Sequence, residues 1–339
     1  MTNSQPARAK PLFILAPMDD VTDTVFRQIV ADCAAPDLFF TEFVNVDGLM
    51  SPGRERLLPK LRFTPKDVPL VAQLWGKDPE NFRSIAGQIA DGSMAREFGL
   101  PEGINFAGVD INMGCPAKSE VQNGTCSAYI LPENRGRAVE IIRASREGLD
   151  QNGGTSLPLS VKTRLGFSDV DFTWHEVLLQ QSLNMLTIHG RTRKEMSKVP
   201  ARWELIEEVR KLRDQISPAT LIVGNGDVLS RQQGEELALK HGLDGVMIGR
   251  GIFHDPYVFA QQSPWESKSR EERLALYRDH VSLFASTWTH NERRLITLNK
   301  FCKIYINGFE GAKELRERLM FCETADELLG ILAEYNSIA

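Results

Sequence analysis

The stretch VDINMGCPAK (residues 109–118) runs from apolar residues into a polar turn that carries a thiol, Cys115, between Gly114 and Pro116. A cysteine with only a packing role lies inside an apolar run, where it behaves as a small hydrophobe. One held just past the end of such a run is placed for chemistry, because barrel enzymes keep their reactive groups at the C-terminal ends of strands. Other reactive or anion-binding residues end apolar runs in the same way. They are Pro17-Met18, Glu42, Gln73, Asn112, Lys162 with Arg164, His189 with Arg191, Asn225-Gly226-Asp227 and Gly249-Arg250-Gly251. Small, amide and cationic groups delivered to one rim describe a cradle for a bound cofactor.

Within that set, GNGD and MIGRG put glycines and backbone N–H groups after the last two runs, where many barrels bind phosphate. Glycine lets the backbone approach an anion, and Arg250 adds a charge-assisted bond; the plain alternative is a pair of tight strand–helix turns. Lys162 is a cation inside an apolar run, and lysine is almost never buried unpaired. It either meets a carboxylate, with Glu42 as the candidate, or faces the anionic edge of a reduced flavin. His189 reads either as a satisfied core histidine or, given its GRTR setting, as a ligand contact.

The elements that must position these residues recur regularly. Near-continuous apolar runs occupy 13–17, 38–43, 69–75, 107–112, 158–165, 185–190, 220–226 and 244–251, the pattern of strands buried on both faces. Helix starts lie between them: Asp23 before TVFRQIVADC, Asp78-Pro79 before ENFRSIAGQIA, and Ser230 before RQQGEELALK. Eight strand–helix units predict a (β/α)8 TIM barrel; a doubly wound sheet is the competitor, and the chain lacks the early GxGxxG turn of its dinucleotide-binding form. Beyond about residue 255 the pattern turns helical, with Leu274, Tyr277, Val281 and Phe284 at helical spacing and Gly308 and Gly311 as breaks. The expected organisation is a disordered lead at 1–10, a catalytic barrel at 11–255, and a small α-helical bundle at 256–339 packed against it.

Composition narrows the class. The 339 residues are 42% hydrophobic and 25% charged, ordinary for a globular protein. No run is long and apolar enough for a membrane span, and MTNSQPARAK does not read as a signal peptide. Five cysteines without a CxxC pair argue against a disulfide framework or a metal site, and for a reducing, cytoplasmic setting. Nothing demands more than a monomer. A net charge of −5 argues against indiscriminate nucleic-acid binding but leaves room for a local basic face.

In order and spacing, APMDDVTD, FTEFV, VAQLWG, DINMGCPAK, SVKTRLG, TIHGRTR, VGNGD and DGVMIGRG strongly resemble the tRNA-dihydrouridine synthases, over residues 13 to about 255. The resemblance implies an FMN-bound barrel that reduces selected uridines in tRNA with NADPH as electron donor. It makes Cys115 the general acid that protonates C5 of uracil while hydride reaches C6. It makes Asn112, Arg191 and Arg193 substrate contacts. Pro17, Met18, Gln73, Lys162, His189, Asn225, Gly226, Asp227, Gly249 and Arg250 would then hold the FMN. The chain departs from the family pattern at Glu120, near a usual valine, at Cys126, near a usual glycine and read here as a buried filler, and in a longer 94–108 segment.

A tRNA substrate also calls for positive charge at the barrel mouth. Three basic segments are candidates: 54–66, 191–202 and 292–303. Such contacts give affinity without sequence information, and Tyr129, Phe43 and Trp75 are the aromatics that could flank an extruded base. Two other classes fit part of the pattern. One is an FMN-dependent barrel oxidoreductase acting on a small molecule, and the other is a flavin- or RNA-binding module without turnover.

Overall fold

Among the described residues, nine short strands build one parallel sheet: β1 (Leu12–Leu15), β2 (Phe39–Phe40), β3 (Val44–Asn45), β4 (Leu70–Trp75), β5 (Gly108–Asn112), β6 (Leu159–Arg164), β7 (Met185–His189), β8 (Leu221–Asn225) and β9 (Gly245–Ile248). This is a computed structural model, and it describes residues 10–151 and 157–337. Of the expected lead at 1–10, residues 1–9 lie outside the described residues. The strands pair in the order β1-β9-β8-β7-β6-β5-β4, with β2 and β3 both on β4. A parallel bridge between Ile14 and Leu38 joins the two edges. The sheet therefore closes into a barrel, and the doubly wound alternative is excluded.

The second expected strand, 38–43, is strand only at Phe39–Phe40, and a second segment, Val44–Asn45, follows beyond it. Thr41 and Glu42 interrupt it: Thr41 Oγ1 accepts from the backbone N–H of Gln73 at 3.0 Å, in place of a ladder carbonyl. Glu42 turns its carboxylate to Arg293 of the C-terminal helices. Two strand segments thus occupy one barrel position.

Alternation along the strands decides what fills the barrel. Ile14, Phe40, Val71, Met185, Val223 and Met247 form an apolar plug inside it. Two residues further along the same faces come Ala16, Gln73, Thr187, Asn225 and Gly249, and at matching height Asp110 and Ser160 (register partners of Gln73 and of each other) with Asn112 and Lys162 above them. The apolar plug gives way to polar groups toward the C-terminal ends, which is where the site lies.

Helices start at the expected caps. Asp23 accepts from Phe26 N–H ahead of Thr24–Ala34, Asp78 from Glu80 N–H ahead of Pro79–Ala90, and Ser230 from Gln233 N–H ahead of Arg231–His241, contacts each worth about 1 kcal/mol. Helices Arg270–Thr287, Asn299–Tyr305, Ala312–Met320 and Ala325–Ser337 form the C-terminal region. Leu274, Tyr277, Val281 and Phe284 are all buried along the first of these. This region docks on the first βα unit through Phe26, whose ring lies 4.7 Å from Phe301 and 5.7 Å from His280. Trp288 Nε1 donates to Asp23 Oδ2 at 3.2 Å across the same seam. Barrel and helices share one continuous apolar core.

Candidate active site

At the C-terminal ends of the strands a cavity of about 440 Å³ opens between β1, β6, β7, β8 and β9, within the range of small-ligand pockets. Pro17, Met18, Lys162, His189, Asn225, Gly226, Asp227, Gly249 and Arg250 line it together. Gln73 and Asn112 are buried beside it without lining it, at 0% and 6% exposure. Gly251, named with the strand-end set, also faces it, as do Ala16, Met247 and His254, which had no role in the sequence reading. The period-two pattern marks Ala16 and Met247 as inward residues; His254 lies beyond the last strand and gave no signal.

The turn after β8 needs its glycine. Gly226 has φ of +131°, and a Cβ there would stand 2.7 Å from Ala201 Cβ. Asp227 follows in the left-handed region at φ 58°. Its carboxylate accepts from Ala201 N–H at 2.9 Å and pairs with Arg191 and with Arg250, the latter at 3.4 Å. Arg191 is thus 3% exposed and anchored behind the cavity wall, while Arg193 stacks its guanidinium 5.3 Å from the Phe167 ring centre.

The deep end is cationic. Lys162 does not pair with Glu42, which is held by Arg293; its neighbouring carboxylate is Asp110. Burial first, and then Arg164, push the Lys162 ammonium down to about 8. His189 lies 3.3 Å from Arg164 Nη1 and is neutral, because burial and then Arg164, Lys162, Arg191 and Arg250 hold it well below the usual histidine range. Thr187 Oγ1, on the same inward face as His189, is buried with no hydrogen-bond partner among the described residues.

Cys115 sits in a loop pinned on several sides. Asn112 Oδ1 accepts from the N–H groups of Gly114 (3.1 Å) and Cys115 (2.9 Å). Arg164 Nε donates to Gly114 O at 2.7 Å, and Ser127 N–H to Cys115 O at 3.3 Å. Gly114 has no spare room: a Cβ would lie 3.2 Å from the Thr163 backbone. The thiol is half-buried, and its pKa is drawn down to about 7. The main cause is a hydrogen bond with the Cys126 thiol; Ala117 N–H and Arg164 assist, against burial and Glu120. Cys126 is fully buried, in the left-handed region at φ 55°, and is both filler and hydrogen-bond partner.

A buried polar network underlies the loop. Asp110, 0% exposed, accepts from Gln73 Nε2 at 2.7 Å and Ser160 Oγ at 2.5 Å, and Asn112 Nδ2 donates to Gln73 Oε1 at 3.2 Å. Asp110 and Ser160 were passed over because their strands read as apolar runs.

The basic segments are less available than their composition suggests. Arg54 pairs with Glu97, Lys60 with Asp19, Arg62 with Glu292, Lys66 with Asp32, Arg202 with Glu195 and Arg293 with Glu42. Arg56, Lys194, Lys198, Arg294 and Lys303 remain exposed. Tyr129 is not a base-flanking ring: it is 1% exposed and donates its hydroxyl to Gly76 O at 2.6 Å. Asp19, Asp20 and Glu42 cluster at one end of the barrel, where Lys60 pairs with Asp19 and Arg293 with Asp20 and Glu42. Among the described residues no helix is long and apolar enough to cross a membrane.

Comparison with known proteins agrees with this geometry. A solved complex titled 2-naphthoyl-CoA reductase with 2-naphthoyl-CoA matches the fold with a TM-score of 0.50 at 12% identity, covering 77% of this chain and 50% of that one. A probable tRNA-dihydrouridine synthase of Staphylococcus epidermidis is 45% identical over 332 residues, 97% of this chain and 94% of that protein. A probable tRNA-dihydrouridine synthase 2 of Bacillus subtilis is 44% identical over 330 residues, 96% of this chain and 94% of its own. The family model described as dihydrouridine synthase matches residues 14–338. A thiol loop beside a strand-end cavity, on a chain that these relatives match almost end to end, makes this enzyme a member of the dihydrouridine synthase family.

Proposed function

We propose that the protein reduces uridine in tRNA to 5,6-dihydrouridine, with FMN seated in the strand-end cavity and NADPH as reductant. The observation that supports this best is the placing of Cys115, a pinned thiol in the field of Lys162 and Arg164, the first of which lines the cavity. The residues fit a flavin on two counts. Gly249 leaves open the space that a Cβ would fill against Ala16 Cβ (3.5 Å) and Met18 Sδ (3.8 Å). The deep end offers an ammonium and a neutral imidazole to an electron-rich ring edge. At the mouth, the turns at Gly226 and Arg250, which line the cavity, would hold the phosphate.

When bound, reduced FMN supplies the hydride that reaches C6 of uracil. The chain's part is to hold the base and deliver the proton. Asn112 fixes the Cys115 loop, and Cys115 gives its proton to C5, ending as a thiolate. Protonation of carbon is slow, so a positioned acid contributes on the order of 10²–10⁴-fold. The S–H of Cys126 faces the charge that develops on sulfur, the arrangement that favours a transition state over its ground state. Positive groups on Lys194, Lys198, Arg294 and Lys303 supply phosphate contacts, with the helical region at 256–339 as the second wall of the tRNA site.

Anaerobic NADPH oxidation by the purified protein tests this reading. Oxidation is expected to proceed to multiple turnovers with tRNA lacking the modification, and not with orotate- or enone-type acceptors. Turnover with such small molecules and none with tRNA would transfer the site to the alternative oxidoreductase.

A further inference from the structure

Two amides stand between a buried carboxylate and the Cys115 loop. Asp110 Oδ2 accepts from Gln73 Nε2 at 2.7 Å, Gln73 Oε1 accepts from Asn112 Nδ2 at 3.2 Å, and Asn112 Oδ1 accepts from Gly114 and Cys115 N–H at 3.1 and 2.9 Å. Register puts Gln73 opposite Asp110 on neighbouring strands, and Asn112 follows Asp110 on the same inward face. The chain is therefore built into the barrel itself.

Either amide alone could be turned both ways, because its two ends have similar shape and opposite hydrogen-bonding sense. An ionised carboxylate only accepts. Gln73 must then offer Asp110 its NH2 and turn its oxygen to Asn112. Asn112 in turn must meet that oxygen with its own NH2, which leaves its oxygen for the loop. Ser160 donates to the second oxygen of Asp110 at 2.5 Å, so both are engaged as acceptors. Burial lifts the Asp110 pKa to about 6, against the pull of Ser160, Gln73 and Lys162, which leaves it mainly ionised at neutral pH.

We propose that Asp110 is a positioning residue for proton donation: through Gln73 and Asn112 it fixes the sense of the hydrogen-bond chain that holds Cys115 in its reactive place. This deepens the reading of the cavity as a uridine-reducing site and rests on it. Asp110 touches neither base nor cofactor in this account, and its influence passes wholly through two amides.

The sense of the chain can be kept while the charge is moved. Asp110→Asn alone frees both amides to turn. Gln73→Glu alone sets two carboxylates against each other. In the double variant the new amide at 110 donates to the new carboxylate at 73, whose other oxygen still accepts from Asn112, so the loop meets the same Asn112 oxygen. The test is the pH dependence of Cys115 alkylation by iodoacetamide in the holoenzyme, read by peptide mass with neither tRNA nor NADPH present. Each single variant is expected to move the midpoint upward by about half a pH unit or more, and the double variant to lie closer to the wild type than either.

In the tRNA assay, Asp110→Asn is expected to lower kcat by about tenfold, within the range set by a positioned acid, with KM for tRNA unchanged. An unmoved midpoint in Asp110→Asn, or additive shifts in the double variant, overturns the proposal. If Asp110→Asn does not fold, the double variant decides: a folded protein with the wild-type midpoint supports the relay, and any other result overturns it. Because the alkylation reads no turnover, failure of the tRNA reading and failure of this one are seen separately.

Discussion

Arg293 closes on Glu42 across the seam between the C-terminal helices and the barrel, with Nη1 3.0 Å from Oε1 and Nη2 bonded to Oε2. The Glu42 side chain is 0% exposed and that of Arg293 is 8% exposed. Burial pushes the Glu42 carboxyl above its usual range, against Arg293. Asp20 adds a second acceptor for Arg293 at 3.4 Å. The pair sits where the second strand is interrupted, so the break in the barrel is also its fastening point.

Arg293→Ala leaves a buried carboxylate without its partner, and it should cost about 3 kcal/mol of stability. Denaturant unfolding checks this. The paired change Glu42→Gln with Arg293→Met should recover part of the loss, because no charge is then stranded. A loss under about 1 kcal/mol for Arg293→Ala, the level of a surface pair, would show the contact to be incidental.

Cys115→Ala should retain flavin and its reduction by NADPH while losing about 10²–10⁴-fold in uridine reduction. Rapid-mixing measurements of the two half-reactions separate these effects. Equal losses in both halves would place Cys115 in cofactor binding rather than proton delivery.

The pH dependence follows from the state in which Cys115 works. An acid acts only while protonated, so single-turnover reduction holds its plateau below the thiol pKa and declines as pH rises through about 7. Cys126→Ala removes the main cause of that lowered value, so the decline should move up toward the ordinary thiol range of about 8.5. Cys126→Ser keeps a hydrogen-bond donor and should stay nearer the wild type. A decline at the same pH in all three proteins would deny Cys126 any part in tuning the acid.

Lys162→Met removes the ammonium at the deep end of the cavity and leaves a side chain that is content to be buried. Folding should survive. Reduction of bound flavin by NADPH should slow by about 10²-fold, the scale on which one positioned donor acts. An unchanged reduction rate would mean that Lys162 serves only as a partner for Asp110.

Much of the barrel was legible because buried parallel strands read as apolar runs and their helices begin at Asp23, Asp78 and Ser230. Ten cavity residues were legible as well, since strand ends are marked by a change from apolar to polar types. What escaped depends on partners distant in sequence. The split of the second strand follows from Thr41 meeting Gln73 and from Glu42 meeting Arg293, 251 residues away. Asp110 looks like a lone polar residue in AGVDI until strand register sets Gln73 and Ser160 on either side of it. The basic segments were visible as composition, but the carboxylates that neutralise them, such as Glu97 and Asp32, come from other parts of the chain.

The most direct measurement is nucleoside mass analysis of tRNA lacking the modification after incubation with the purified protein and NADPH. The account predicts a gain of two hydrogens on uridine at a defined position, absent without NADPH and nearly absent with Cys115→Ala. Flavin-bound protein that oxidises NADPH and leaves every uridine unchanged would contradict it.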